Sequence, residues 1–67
     1  MMFDVEIFGE RLRKLRTDKK LTIVQLGKAL EVNNATISKL ENGLIKPSVD
    51  SIFDIAEFFN VSIGTKK

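Results

Sequence analysis

The sequence has no cysteine, no histidine, no tryptophan and no tyrosine, and its one proline is Pro47. Without cysteine there are no disulfides and no thiolate nucleophiles. Without histidine as well, the usual nitrogen and sulfur ligands of zinc are gone, and imidazole acid–base catalysis goes with them. Ser, Thr, Lys and carboxylates remain, with no glycine-rich phosphate loop and no paired carboxylates in an apolar setting. The expectation is a protein that is not an enzyme and has no metal site, no cofactor and no evident small-molecule ligand. Also missing is any apolar run near the roughly 20 residues that span a bilayer. No segment combines a basic start, an apolar middle and a small-residue cleavage site. A cytoplasmic location without membrane attachment is therefore expected.

The 67 residues present are enough for one compact unit, so a single domain over 1–67 is expected. Hydrophobic residues make up 43% and charged residues 30%, a globular balance. A domain this small buries only about 60% of the surface its unfolded chain exposes. Its stability must come from packing, aided by association of copies.

Charge is distributed unevenly. Residues 1–10 carry Asp4, Glu6 and Glu10 without a base, and residues 47–67 are mildly acidic. Between them, residues 11–46 hold nine lysines and arginines against Asp18, Glu31 and Glu41, a local excess of +6 in a chain of net charge +2. Local field rather than net charge attracts phosphates, so this is the footprint of a polyanion-binding module. A solvated helix face gives the same pattern, and charge alone does not separate the two.

Four amphipathic segments follow one another without repeats or linkers. Val5, Phe8, Leu12 and Leu15 recur at helical spacing after Asp4, an N-cap, which predicts a helix over about 5–19. Gly9 is expected to cost this helix some stability. Thr22 and Gln25 have the spacing of a capping box and open a helix of about eight residues through Leu26, Ala29 and Leu30. Asn33 caps a third helix whose inner residues are Ile37 and Leu40, and Asn42-Gly43 ends it with a glycine suited to the left-handed position. Pro47-Ser48 opens a fourth, with Val49, Ile52, Ala56 and Phe59 as its apolar stripe and Asp50 in its first turn. No segment alternates as a strand does. The fold class predicted is all-α, with a helix-turn-helix over about 22–42 supported by the first and last helices.

The stretch TIVQLGKALEVNNATISKLENG, with ERLRKLR before it and GLIKPSVDSIFDIAEFFNVS after it, resembles the helix-turn-helix of the lambda-repressor-like family of bacterial and phage regulators, also called the xenobiotic-response-element or Cro-type family. The likeness covers about residues 8–62. It implies a small domain of four helices, or five where the chain continues as that family often does. It also implies a second motif helix lying in the major groove of double-stranded DNA, and dimers on two-fold operators. Gly27 stands where the family uses a small residue at the helix contact, and Ile37 and Leu40 where it places core residues. Two positions depart from the pattern. Glu31 replaces the usual turn glycine, at a strain of about 1 kcal/mol if its φ is positive. Ile23 replaces a glutamine that often holds a phosphate, leaving the backbone N–H groups of the helix start for that task.

At 100° per residue, the arc opposite Ile37 and Leu40 carries Ala35, Ser38, Lys39 and Asn42, with Asn34 at its edge. Such small polar residues suit base edges: Asn the adenine N6/N7 pair, Lys the guanine O6/N7 pair, the Ala methyl a thymine methyl. Asn34, Ala35, Ser38 and Lys39 are the candidate base contacts. Thr22, Asn33, Asn42 and Lys46 are the candidate backbone contacts, by likeness to similar proteins. Arg11, Arg13, Lys14, Lys19 and Lys20 are expected to be solvated charges that attract phosphates generally. Arg16 and Glu41 stand where similar proteins place a structural ion pair.

The function expected is a sequence-specific DNA-binding transcriptional regulator, most simply a repressor acting as a homodimer, with Phe58 a candidate for the dimer interface. Burial of Phe58 beneath the tail Val61-Ser62-Ile63 is the competing expectation. The antitoxin of a toxin–antitoxin pair and a protein-interaction adaptor on the same fold are the alternatives. The chain is expected to be either a minimal regulator or the DNA-binding part of a longer one.

Overall fold

Four side-chain caps set the starts of four helices in the computed structural model, which describes residues 3–60. Asp4 opens α1 (Val5–Asp18) by accepting from the backbone N–H groups of Glu6 and Ile7 at 2.9 and 3.1 Å. α2 (Ile23–Leu30) carries a reciprocal capping box: Thr22 Oγ1 accepts from Gln25 N at 3.0 Å, and Gln25 Oε1 accepts from Thr22 N at 2.8 Å. Asn33 caps α3 (Asn34–Glu41) by accepting from Ala35 N at 2.7 Å, and Ser48 caps α4 (Val49–Phe59) by accepting from Ser51 N at 3.0 Å. Each cap satisfies a helix-end donor that would otherwise need water, worth about 1 kcal/mol. No strand occurs among the described residues, so the fold is all-α.

The helix ends use left-handed residues. Gly43 (φ 71°) closes α3 in a Schellman motif, with Leu44 N donating to Lys39 O and Gly43 N to Leu40 O. α1 ends in the same way with Lys20 (φ 59°) in the glycine position. At the turn of the helix-turn-helix, Glu31 takes φ 60° and ψ 42°, the conformation its place in the motif requires of a residue that is not glycine.

The core is formed by Leu12, Leu26, Ile37, Leu40, Ile55 and Phe59, with Phe8, Leu15, Leu21, Ile23, Leu30 and Val32 packed around it. α3 packs on both α1 and α2, and α4 packs on α2. Each fully buried leucine or isoleucine contributes roughly 1.5–3 kcal/mol, so the few at the centre outweigh any single cap.

One expectation about packing is corrected, and one residue gains a role. Val49 is 67% exposed rather than part of the buried stripe of α4; Ile55, which follows Ile52 by three residues and precedes Phe59 by four, takes that place. Gly9 is buried, and a Cβ there would lie 2.5 Å from the backbone carbonyl oxygens of Leu40 and Glu41. Its missing side chain lets α1 approach the end of α3, a packing role beside its low helix propensity that the sequence did not reveal. The fifth helix that the family often adds would fall outside the described residues.

Candidate nucleic-acid interface

Helix α3 is held from one side. Ile37 is fully buried and Leu40 nearly so, which fixes the rotation of the helix and turns Asn34, Ala35 and Lys39 to solvent. Ser38 is half-buried at the edge of this face. The four candidate base contacts therefore lie along one polar, small-residue strip on the side away from the core. Gly27 sets the distance between the two motif helices: its carbonyl accepts from Val32 N at 2.8 Å, and a Cβ would meet Val32 O at 2.7 Å. Val24, Lys28, Glu31 and Asn34 border an open groove between α2 and the start of α3.

The end of α3 is tied to α1 by charge. Glu41 is a buried acid on a short helix, 5% exposed, and its carboxylate is fully engaged. Arg16 Nε donates to its Oε2 at 2.6 Å and Arg16 Nη2 to its Oε1 at 3.0 Å, a two-pronged pairing that matches guanidinium to carboxylate. Arg16 Nη1 also donates to Leu21 O at 2.8 Å, so one side chain joins α3 to the loop that leads into α2. The hydrogen bond to Glu41 holds the Arg16 guanidinium above its ordinary pKa, against the opposing effect of burial. Among the described residues no buried side-chain nitrogen or oxygen lacks a partner.

Arg13, expected from the sequence to be a solvated charge, is a third member of this cluster. Its Nε donates to Glu41 Oε1 at 3.3 Å and its Nη2 to Asn42 Oδ1 at 2.9 Å. The signal was available in part: Arg13 precedes Arg16 by three residues and so shares its helix face. Arg11, Lys19 and Lys20 are exposed, and Lys14 lies 3.6 Å from Asp18.

Of the candidate backbone contacts, Thr22, Asn33, Asn42 and Lys46 are all exposed. Thr22 and Asn33 are helix caps, Asn42 is the C-cap of α3, and the Lys46 ammonium sits 5.9 Å from the centroid of the Phe3 ring. Phe58 is 37% exposed and meets buried Phe59 edge-on, with centroids 4.9 Å apart. The tail Val61-Ser62-Ile63, the competing cover for Phe58, lies outside the described residues. Sequence reading missed that Leu44, Val49 and Phe53 are more exposed than Phe58.

No group of three or more Asp or Glu side chains that could hold a metal ion occurs among the described residues, and no described helix is long and apolar enough to cross a membrane.

Comparison with known proteins places these features. A family model described as Helix-turn-helix matches residues 12–65. The chain is 45% identical to the HTH-type transcriptional activator BcrR of Enterococcus faecalis over 84% of its own length and 28% of the activator's. It is 51% identical to the HTH-type transcriptional repressor RghR of Bacillus subtilis over 58% of its own length and 29% of the repressor's. It thus spans well under a third of these relatives. Among solved structures it resembles the restriction-modification controller protein C.AhdI from Aeromonas hydrophila, with a TM-score of 0.81 and 29% identity, covering 88% of this chain and 89% of that one. It also resembles the clp gene regulator ClgR from C. glutamicum, with a TM-score of 0.83 and 27% identity, covering 92% and 80%. The chain belongs to the helix-turn-helix family of DNA-binding domains, with the lambda-repressor-like all-α fold.

Proposed function

We propose that this chain reads double-stranded DNA as part of a transcriptional regulator, with α3 in the major groove, and that it acts most simply as a repressor by covering a promoter. The observation that carries this reading is the strip Asn34, Ala35, Ser38 and Lys39, set opposite the buried Ile37 and Leu40 on a helix whose rotation is locked. Thr22, Asn33, Asn42 and Lys46 would contact phosphates on either side, supplying affinity and register while the strip supplies sequence choice. Such a protein would work in the cytoplasm, at the nucleoid when bound.

The functional unit we propose is a homodimer joined at the α4 end of the domain. Phe58, 37% exposed near the end of α4, is the candidate contact there. Selection of bound duplexes from a random library tests both proposals. The expected product is a two-fold sequence with half-sites about 34 Å apart. Enrichment of no sequence would overturn base reading by α3, and a single unrepeated half-site would overturn the dimer.

A further inference from the structure

Asn42 is the C-cap residue of α3, and its carboxamide could present either its oxygen or its nitrogen to solvent. A phosphate oxygen only accepts, so the two orientations differ in kind: nitrogen outward binds it and oxygen outward repels it. Arg13 settles the choice. A guanidinium has donors and no acceptor, so the atom facing Arg13 Nη2 at 2.9 Å must be the amide oxygen. The amide NH2 is then turned the other way, with one contact to Ser38 Oγ at a long 3.5 Å. Arg13 itself is anchored by Glu41 Oε1 at 3.3 Å, and Glu41 is fixed in turn by Arg16.

We propose that Arg13 is a positioning residue for DNA binding: by occupying the Asn42 oxygen it makes Asn42 a donor only, aimed at a backbone phosphate. This inference rests on the reading of α3 as the recognition helix. It assigns Arg13 a role that general attraction of phosphates does not require, since a lysine would supply the charge equally well. Lysine lacks the planar fork that reaches Glu41 and Asn42 together.

Duplex affinity should be measured at one salt concentration for the wild type, Arg13→Met, Asn42→Ala, the double variant, Arg13→Lys and Lys14→Gln, with an unfolding midpoint for each. Lys14, whose side chain is 77% exposed, reports the loss of a simple charge from α1. Arg13→Met and Asn42→Ala are each expected to weaken binding about tenfold, and the double variant to be about as weak as either alone. Arg13→Lys should fall several-fold below wild type, and Lys14→Gln less than Arg13→Met. In the free protein, the NMR signals of the Asn42 side-chain NH2 should move in Arg13→Met while the backbone signals of Ile37 stay in place. Should Arg13→Met fail to fold, Arg13→Lys keeps a charge beside Glu41 and carries the same comparison. Effects of Arg13→Met and Asn42→Ala that multiply, wild-type affinity in Arg13→Lys, or unmoved Asn42 signals would overturn the inference alone. A wild type that binds no duplex would overturn the recognition reading and the inference with it.

Discussion

Lys39 and Lys46 carry the same charge and are both exposed, but they sit on different parts of the molecule. Lys39 projects from the polar strip of α3, whereas Lys46 lies in the loop before α4, its ammonium over the Phe3 ring. Lys39→Ala should therefore cost roughly 1–3 kcal/mol on the preferred operator, relax the choice at one or two symmetric base positions and leave random-duplex binding nearly intact. Lys46→Ala should weaken all sequences alike and make the salt slope shallower by about one unit. Parallel titrations with operator and random duplex decide this, and equal proportional losses would remove Lys39 from the base-reading set. A second contrast concerns the ion pair. Arg16→Met strands a carboxylate whose side chain is 1% exposed, with only Arg13 beside it, and should destabilise by about 3 kcal/mol. Glu41→Leu should cost about 2 kcal/mol, less because the freed guanidinium keeps Leu21 O and can turn toward water. Unfolding midpoints left unchanged by both would make these ordinary surface charges. Because the Arg16 pKa is raised, its contribution is complete at every pH below the ordinary arginine range and is lost only above it. Stability should show no pH dependence from Arg16 between pH 5 and 9, about the span of physiological interest.

At the scale of elements, two glycine-related positions oppose local propensity to packing. Alanine is the better helix former by about 1 kcal/mol. At Gly9, however, its Cβ would stand 2.5 Å from two backbone carbonyl oxygens, and backbone cannot step aside as a flexible side chain can. Gly9→Ala should destabilise by about 3 kcal/mol through separation of α1 from the end of α3. A rise in thermal midpoint would show that the helix contact is looser than its geometry indicates. Glu31 presents the reverse case. It holds φ 60° at the turn between α2 and α3, where glycine has no steric penalty. Glu31→Gly should stabilise by no more than about 0.5 kcal/mol, the strain of about 1 kcal/mol relieved less the extra chain entropy of glycine. It also removes a negative charge from the groove beside Asn34, so duplex affinity should rise with stability. A drop in both would assign the Glu31 side chain a contact of its own.

Over the whole molecule, charge is divided by region. The bases crowd into α1 and the helix-turn-helix, while Asp50, Asp54 and Glu57 are exposed on α4. In the proposed DNA complex, a distribution of this kind would favour the basic side facing the phosphates and α4 facing away. If a dimer neutralises roughly 6–8 phosphates, log affinity should fall against log salt with a slope of about −5 to −7. Measurement of affinity for one duplex across a salt series checks this, and a slope near zero would end the nucleic-acid reading. Charge separation also accounts for the small net value of +2, which by itself conceals the basic region.

Much of the domain is readable from the chain because much of it is local. Asp4, Thr22, Asn33 and Ser48 each cap a helix through partners two or three residues away, and the Schellman ending at Gly43 is equally short-range. The polar strip of α3 follows from helical period once Ile37 and Leu40 are taken as buried. Tertiary structure decided what depends on partners distant in sequence. Arg13 meets Glu41 and Asn42 across 28 and 29 residues, and period alone cannot say that one acid receives two arginines. Gly9 reads locally as a weak helix position, yet its worth is set by carbonyls of another helix. Val49 and Ile55 exchanged places because an apolar residue on a short helix is buried only where a neighbouring element covers it. Caps and periods are properties of the chain, whereas close approach, shared counter-ions and coverage arise only when the helices are brought together.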